Sequence, residues 1–157
     1  MQTECQLVEQ PARPTLFVRT QVGVQDLPQT LGQAWGAIMR YLGELGEAPA
    51  GPPYVAYYNM DMQNLDVEAA FPVARPLPGR DEVQAGELPA GRYATCLHNG
   101  PYNELGPAYE ALTRYVAEQG KEPTGVAYEV YLTDPQTTAP QDLQTQILFS
   151  LKERESD

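Results

Sequence analysis

Leu31-Gly-Gln-Ala-Trp-Gly-Ala-Ile-Met-Arg-Tyr-Leu-Gly-Glu-Leu-Gly-Glu-Ala-Pro49 lies over Leu105-Gly-Pro-Ala-Tyr-Glu-Ala-Leu-Thr-Arg-Tyr-Val-Ala-Glu-Gln-Gly-Lys-Glu-Pro123 without a gap, at an offset of 123 − 49 = 74. Leu31/Leu105, Gly32/Gly106, Ala34/Ala108, Ala37/Ala111, Arg40/Arg114, Tyr41/Tyr115, Glu44/Glu118, Gly46/Gly120 and Pro49/Pro123 are identical pairs. Trp35/Tyr109, Ile38/Leu112 and Leu42/Val116 exchange one apolar residue for another in register. Two copies are too few for a solenoid, which needs at least about three. The repeat therefore predicts two units packed about a pseudo-twofold axis, with a seam between them of the kind where small-molecule pockets form.

In each copy the apolar positions step by three and four, which places them on one helical face. Leu31, Trp35, Ile38, Leu42 and Leu45 form the first stripe; Leu105, Tyr109, Leu112 and Val116 form the second, on a helix expected over 104–119. Gly46 and Pro49 stop the first helix. Working outward, Thr15–Val22, Tyr54–Asn59 and Asp66–Val73 read as strands of the first half. Pro72 implies an edge or a bulge near the end of the third. Arg92–His98, Val126–Leu132 and Leu143–Lys152 repeat the order, and the longer loop 133–142 moves the last strand to an offset of 151 − 73 = 78. The expectation is an α+β fold of tandem pseudo-twofold β-α-β-β repeats, forming antiparallel sheet with two long helices. It is one domain over 1–157, with half-repeats at 8–74 and 83–152, a Pro/Gly linker at 75–82 and a polar tail at 153–157.

Composition narrows the function. Ten basic against twenty-one acidic residues give a net charge of −11, which repels phosphate backbones, and no basic patch or Gly-rich phosphate loop is present. Direct nucleic-acid binding is not expected, whereas an acidic field favours cationic partners. No apolar run approaches the roughly 18 residues of a membrane span, and the N-terminus lacks the pattern of a signal peptide, so a cytoplasmic protein without membrane contact is expected. Cys5 and Cys96 have no metal-ligand spacing, with His98 as the sole histidine, so reduced cysteines, no metal and no cofactor are expected.

Glu129 carries the sharpest local signal: it interrupts Val126–Leu132, an otherwise apolar and aromatic strand, and its repeat mate is Val55. Alternation puts Tyr131 on its face and Tyr128, Val130 and Leu132 on the other. A strand carboxylate of this kind ordinarily faces solvent. Ten tyrosines, three phenylalanines and one tryptophan give it another setting, because tyrosines that individually fill a core can together cage a flat cation. Glu68 and Glu129 could form an acid–base pair if they share a cavity, and Gln146 is either a polar pocket group or a surface residue. His98 has no serine or cysteine nucleophile placed by motif and reads as structural.

Leu88-Pro-Ala-Gly-Arg-Tyr-Ala94, His98-Asn-Gly-Pro-Tyr102 with Leu105 and Tyr109, and Tyr128-Glu-Val-Tyr-Leu-Thr-Asp-Pro135 resemble the GyrI-like small-molecule-binding family, the effector-binding domain of bacterial multidrug-responsive transcription regulators. Asp66-Val-Glu68 with Phe71-Pro-Val73 is similar to the family's last strand of the first half, and the match covers nearly the whole chain. The resemblance implies two SHS2-like repeats and an aromatic pocket at their junction, with an acidic residue, here Glu129, reading lipophilic cationic or aromatic ligands. Trp35, Tyr57, Tyr102, Tyr109 and Tyr131 would supply stacking surface, with Glu68 and Gln146 as further polar contacts. Gln146 departs from the Glu usual in the final strand, and no DNA-binding segment fits before Thr15, so a stand-alone member is expected. Two alternatives remain open. One is a hydrolase opening cyclopropane-type electrophiles with Glu129; the other is an acidic, gyrase-inhibitor-like protein with a protein partner.

Overall fold

A computed structural model describes residues 4–134 and 137–152; the expected polar tail at 153–157 and two residues of the loop 133–142 lie outside the described residues. The fold is α+β, and the chain divides into two compact units, 12–89 and 1–11 together with 90–157.

The unit of 12–89 holds β1 (Arg13–Val22), α1 (Leu27–Leu45), β2 (Tyr54–Tyr57), β3 (Leu65–Pro72) and β4 (Gln84–Leu88). Its sheet is antiparallel in the order β2-β3-β1-β4. The other unit holds β5 (Cys5–Gln10), β6 (Gly91–Asn99), α2 (Gly106–Glu118), β7 (Pro123–Tyr131) and β8 (Gln144–Leu151), ordered β7-β8-β6-β5 and again antiparallel. Each unit taken by itself therefore places its three repeat strands in the same order and adds one edge strand beside the first. The register repeats as well. Tyr54↔Ala70, Val55↔Ala69 and Tyr57↔Val67 in one unit match Tyr128↔Leu148, Glu129↔Ile147 and Tyr131↔Thr145 in the other, at offsets of 74 and 78.

The edge strands did not show in the sequence pattern. Residues 8–10, expected in the first half-repeat, ladder with β6, and residues 84–88, expected in the second, ladder with β1. In β4 only Leu88 is buried, so backbone hydrogen bonds hold the strand and no apolar alternation marks it. Pro72 is the last residue of β3, where a missing N–H costs the ladder least.

Each helix covers one face of its own sheet. Leu31, Ala34, Ile38, Tyr41 and Leu42 of α1 are buried, and Ile38, Tyr41 and Leu42 cluster with Leu16, Phe71, Val73, Leu77 and Val83. Leu45, expected on the inward stripe, is exposed because the helix ends there. Tyr41 Oη donates to the Pro78 carbonyl at 2.6 Å, tying the helix to the segment before β4. In α2, Ala108, Leu112 and Val116 are buried against Ala94, Cys96, Ile147 and Leu151. The helix expected from Glu104 begins at Gly106, and Glu104 closes a separate 3₁₀ turn at Tyr102–Glu104. The identical Gly46 and Gly120 both stand at φ 70°, the left-handed conformation that ends a helix without a Cβ penalty. Cys5 and Cys96 are cross-strand partners and free thiols; burial pushes Cys96 up to about 12, which keeps it unreactive. Among the described residues, no helix is long and apolar enough to cross a membrane.

Candidate functional site

Glu129 sits in β7 opposite Ile147, whose side chain packs beneath α2, so the carboxylate faces the helix. It is 8 % exposed. An isolated carboxylate cannot be held there cheaply, and two phenols solve the problem. Tyr109 Oη, from α2, donates to Oε2 at 2.5 Å, and Tyr131 Oη, two residues along β7, donates to Oε1 at 2.6 Å. Charge-assisted bonds of this kind are worth about twice a neutral one. The tyrosines are in turn held by aromatics: Tyr102 meets Tyr131 edge-on at 5.5 Å between centroids, and Tyr109 tilts over Phe149 at 5.8 Å. Tyr102 is the outermost member, and burial first, then Asp134 and Glu129, hold its hydroxyl above its ordinary range.

Four of the expected site residues, Glu129, Tyr102, Tyr109 and Tyr131, thus meet in one unit. Gln146 belongs to the same unit but opposes Val130 and Leu97, on the sheet face away from α2, and its amide donates to Thr95 Oγ1 at 3.1 Å. Trp35 and Tyr57 lie in the unit of 12–89, where Trp35 packs on the helix-side core and its Nε1 donates to the Ala70 carbonyl at 3.2 Å. His98 Nε2 donates to the Pro101 carbonyl at 3.1 Å, which is structural work in the turn before Tyr102. Phe149 and Thr145 were not expected at the site. An apolar and a β-branched residue in a strand carry no signal of their own.

Glu68 also lies in the unit of 12–89 and opposes Arg19 and Ala56, on the face away from α1. Tyr58 Oη donates to its Oε1 at 3.0 Å; the Arg19 guanidinium stands 4.0 Å over the Tyr58 ring and binds Asp66 at 3.0 and 2.8 Å. Burial holds Glu68 above its ordinary value despite Tyr58 and Arg19, whereas the bond from Arg19 holds Asp66 below its own. A carboxyl raised on folding opposes stability at neutral pH and ceases to do so as pH falls through its folded value. Glu68→Gln is therefore expected to melt higher than wild type at pH 7. The difference should close as pH is lowered past the ordinary glutamate value of 4.5, where both side chains are neutral. A gap that persists unchanged at low pH would show that charge is not its cause.

Among the described residues no group of three or more His, Cys, Asp or Glu is placed to hold a metal. The Glu129 site instead gathers one carboxylate, two phenols bonded to it and the ring faces and edges of Tyr102 and Phe149.

No curated protein matches the chain in sequence. Among solved structures, EcmrR in its complex with DNA superposes with a TM-score of 0.83 at 21 % identity, over 97 % of this chain and 58 % of that one. This chain thus spans little more than half the length of EcmrR. The isolated EcmrR C-terminal domain gives 0.75 at 23 % identity, over 98 % and 100 % of the two chains. SAV2435 bound to tetraphenylphosphonium gives 0.65 at 11 %, over 95 % and 94 %. At these identities the likeness is one of fold. The model of the GyrI-like small molecule binding domain, however, matches residues 3–152, nearly the full length that the repeat organises, and the chain belongs to that family.

Proposed function

We propose that this GyrI-like domain binds lipophilic aromatic cations at Glu129, with Tyr102, Tyr109, Tyr131 and Phe149 as the aromatic frame. The observation that carries the reading is a buried carboxylate bonded by two phenols, Tyr109 and Tyr131. Burial removes the water that would screen it, so an arriving cation gains more from the charge than it would at the surface. Each cation–π contact adds about 0.5–2 kcal/mol, rising with desolvation. The net charge of −11 favours the approach of the same ligands. A relative of the same fold, SAV2435, holds tetraphenylphosphonium. The hydrolytic alternative needs a carboxylate oxygen to orient water; each oxygen of Glu129 accepts one phenol hydrogen and keeps a second lone pair, so turnover rather than geometry separates the two readings.

Titration calorimetry with tetraphenylphosphonium against the uncharged triphenylphosphine oxide tests the reading on the wild-type protein. Binding of the cation at micromolar or weaker affinity, about −8 kcal/mol at 1 μM, is expected, with the oxide at least tenfold weaker. Equal affinity for the two, or no binding of the cation, would sink it.

A further inference from the structure

The internal repeat supplies a control for every residue of the site. At the positions equivalent to Glu129 and Thr145, the unit of 12–89 carries Val55 and Val67, both fully buried. A sheet under a helix therefore needs only valine at these two points. Where one valine is replaced by the carboxylate, its diagonal neighbour is replaced by threonine, a residue of valine's shape that carries a hydroxyl. Thr145 opposes Tyr131, so its side chain shares the helix-side face with Tyr131 and Glu129. It is 0 % exposed, and its Oγ1 has no hydrogen-bond partner among the described residues. Burying a hydroxyl without a partner is unfavourable, and the fold of the other unit shows that it is avoidable here. Diagonal neighbours in such a register lie roughly 7 Å apart. That span lets one cationic nitrogen feel the carboxylate while directing an N–H at the hydroxyl.

We propose that Thr145 is a specificity-determining residue of this site, selecting cations that carry an N–H, protonated aromatic amines, over permanently charged ions of the same shape. The proposal rests on the reading of Glu129 as the charge contact. Glu129 supplies attraction to any cation; Thr145 supplies the acceptor that only a protic one uses.

The probes are N,N-dimethyl(naphthalen-2-ylmethyl)ammonium, protonated at pH 7, and its trimethyl counterpart, titrated calorimetrically into the full chain. Wild type is expected to prefer the protic ion by about tenfold, the worth of one hydrogen bond from a charged donor. In Thr145→Val, which restores the residue of the other repeat, the ratio should fall through weaker binding of the protic ion. Thr145→Ser keeps the hydroxyl and should keep the preference. A wild-type ratio near one overturns the proposal without any variant, and an unchanged ratio in a folded Thr145→Val overturns it as well. Binding of both ions with no discrimination leaves the Glu129 reading standing alone. Binding of neither by wild type overturns both.

Discussion

Glu129→Gln is expected to weaken tetraphenylphosphonium about ten- to a hundredfold while changing the affinity of neutral triphenylphosphine oxide far less. The substitution keeps the shape of the side chain and keeps partners for both phenols, because an amide accepts from one and donates to the other. What it removes is the charge. Loss of a desolvated charge contact is worth roughly 1.5–3 kcal/mol, which sets the expected range. Parallel titrations of the two probes into wild type and variant read the difference directly, and an equal loss for both would mean that the variant perturbs shape. The same variant separates binding from hydrolysis. If a strained-ring electrophile is turned over by wild type and turnover falls a hundredfold or more in Glu129→Gln with binding retained, Glu129 acts on water and the binding reading is displaced.

Leu112→Ala is expected to destabilise the protein by about 2–5 kcal/mol, the usual cost of deleting a fully buried aliphatic side chain whose surroundings collapse only partly. Leu112 is 0 % exposed in the cluster of Ala94, Cys96, Leu105, Ala108, Val116, Ile147 and Leu151. Its repeat mate Ile38 is equally buried beside Leu16, Tyr41 and Leu42, so Ile38→Ala belongs in the same range. Urea unfolding monitored by circular dichroism gives the values. A loss under 1 kcal/mol at both positions would contradict the packing of the two helices on their sheets. Surface ion pairs offer a contrast: breaking Arg80–Glu44, about half exposed on each side, should leave stability almost unchanged, because solvent screens the pair.

Much of the fold was legible because packing wrote it into the sequence twice. The stripes of both helices, the six repeat strands and the offsets of 74 and 78 all follow from residues that must be apolar on one face. The edge strands Cys5–Gln10 and Gln84–Leu88 were not legible, since their stability comes from main-chain pairing with one neighbour and leaves no apolar period. The arrangement around Glu129, the candidate site, was half legible. Glu129 stood out as a carboxylate where its repeat mate is valine, and alternation correctly gave it Tyr131 as a companion. Gln146 and Glu68 were expected as further polar contacts, but the register turns Gln146 toward Thr95 and Glu68 toward the face of Arg19. Thr145 left no trace at all, because threonine is an ordinary strand residue. Only the comparison with Val67 at the matching register position makes its hydroxyl conspicuous.

The discontinuity of the unit formed by 1–11 and 90–157 has a consequence for biosynthesis. The strand Cys5–Gln10 leaves the ribosome before its partner, for its partner positions, from Cys5↔Cys96 to Gln10↔Gly91, lie 91 and 81 residues downstream. At about 5–20 residues per second this strand waits some 4–18 s with its hydrogen-bonding edge bare. Residues 12–89, continuous in the chain, can meanwhile complete their own sheet. Translation speed between these two points therefore sets how long the nascent chain displays an open strand to other chains on the same messenger, and chaperone demand should fall as that interval is translated faster.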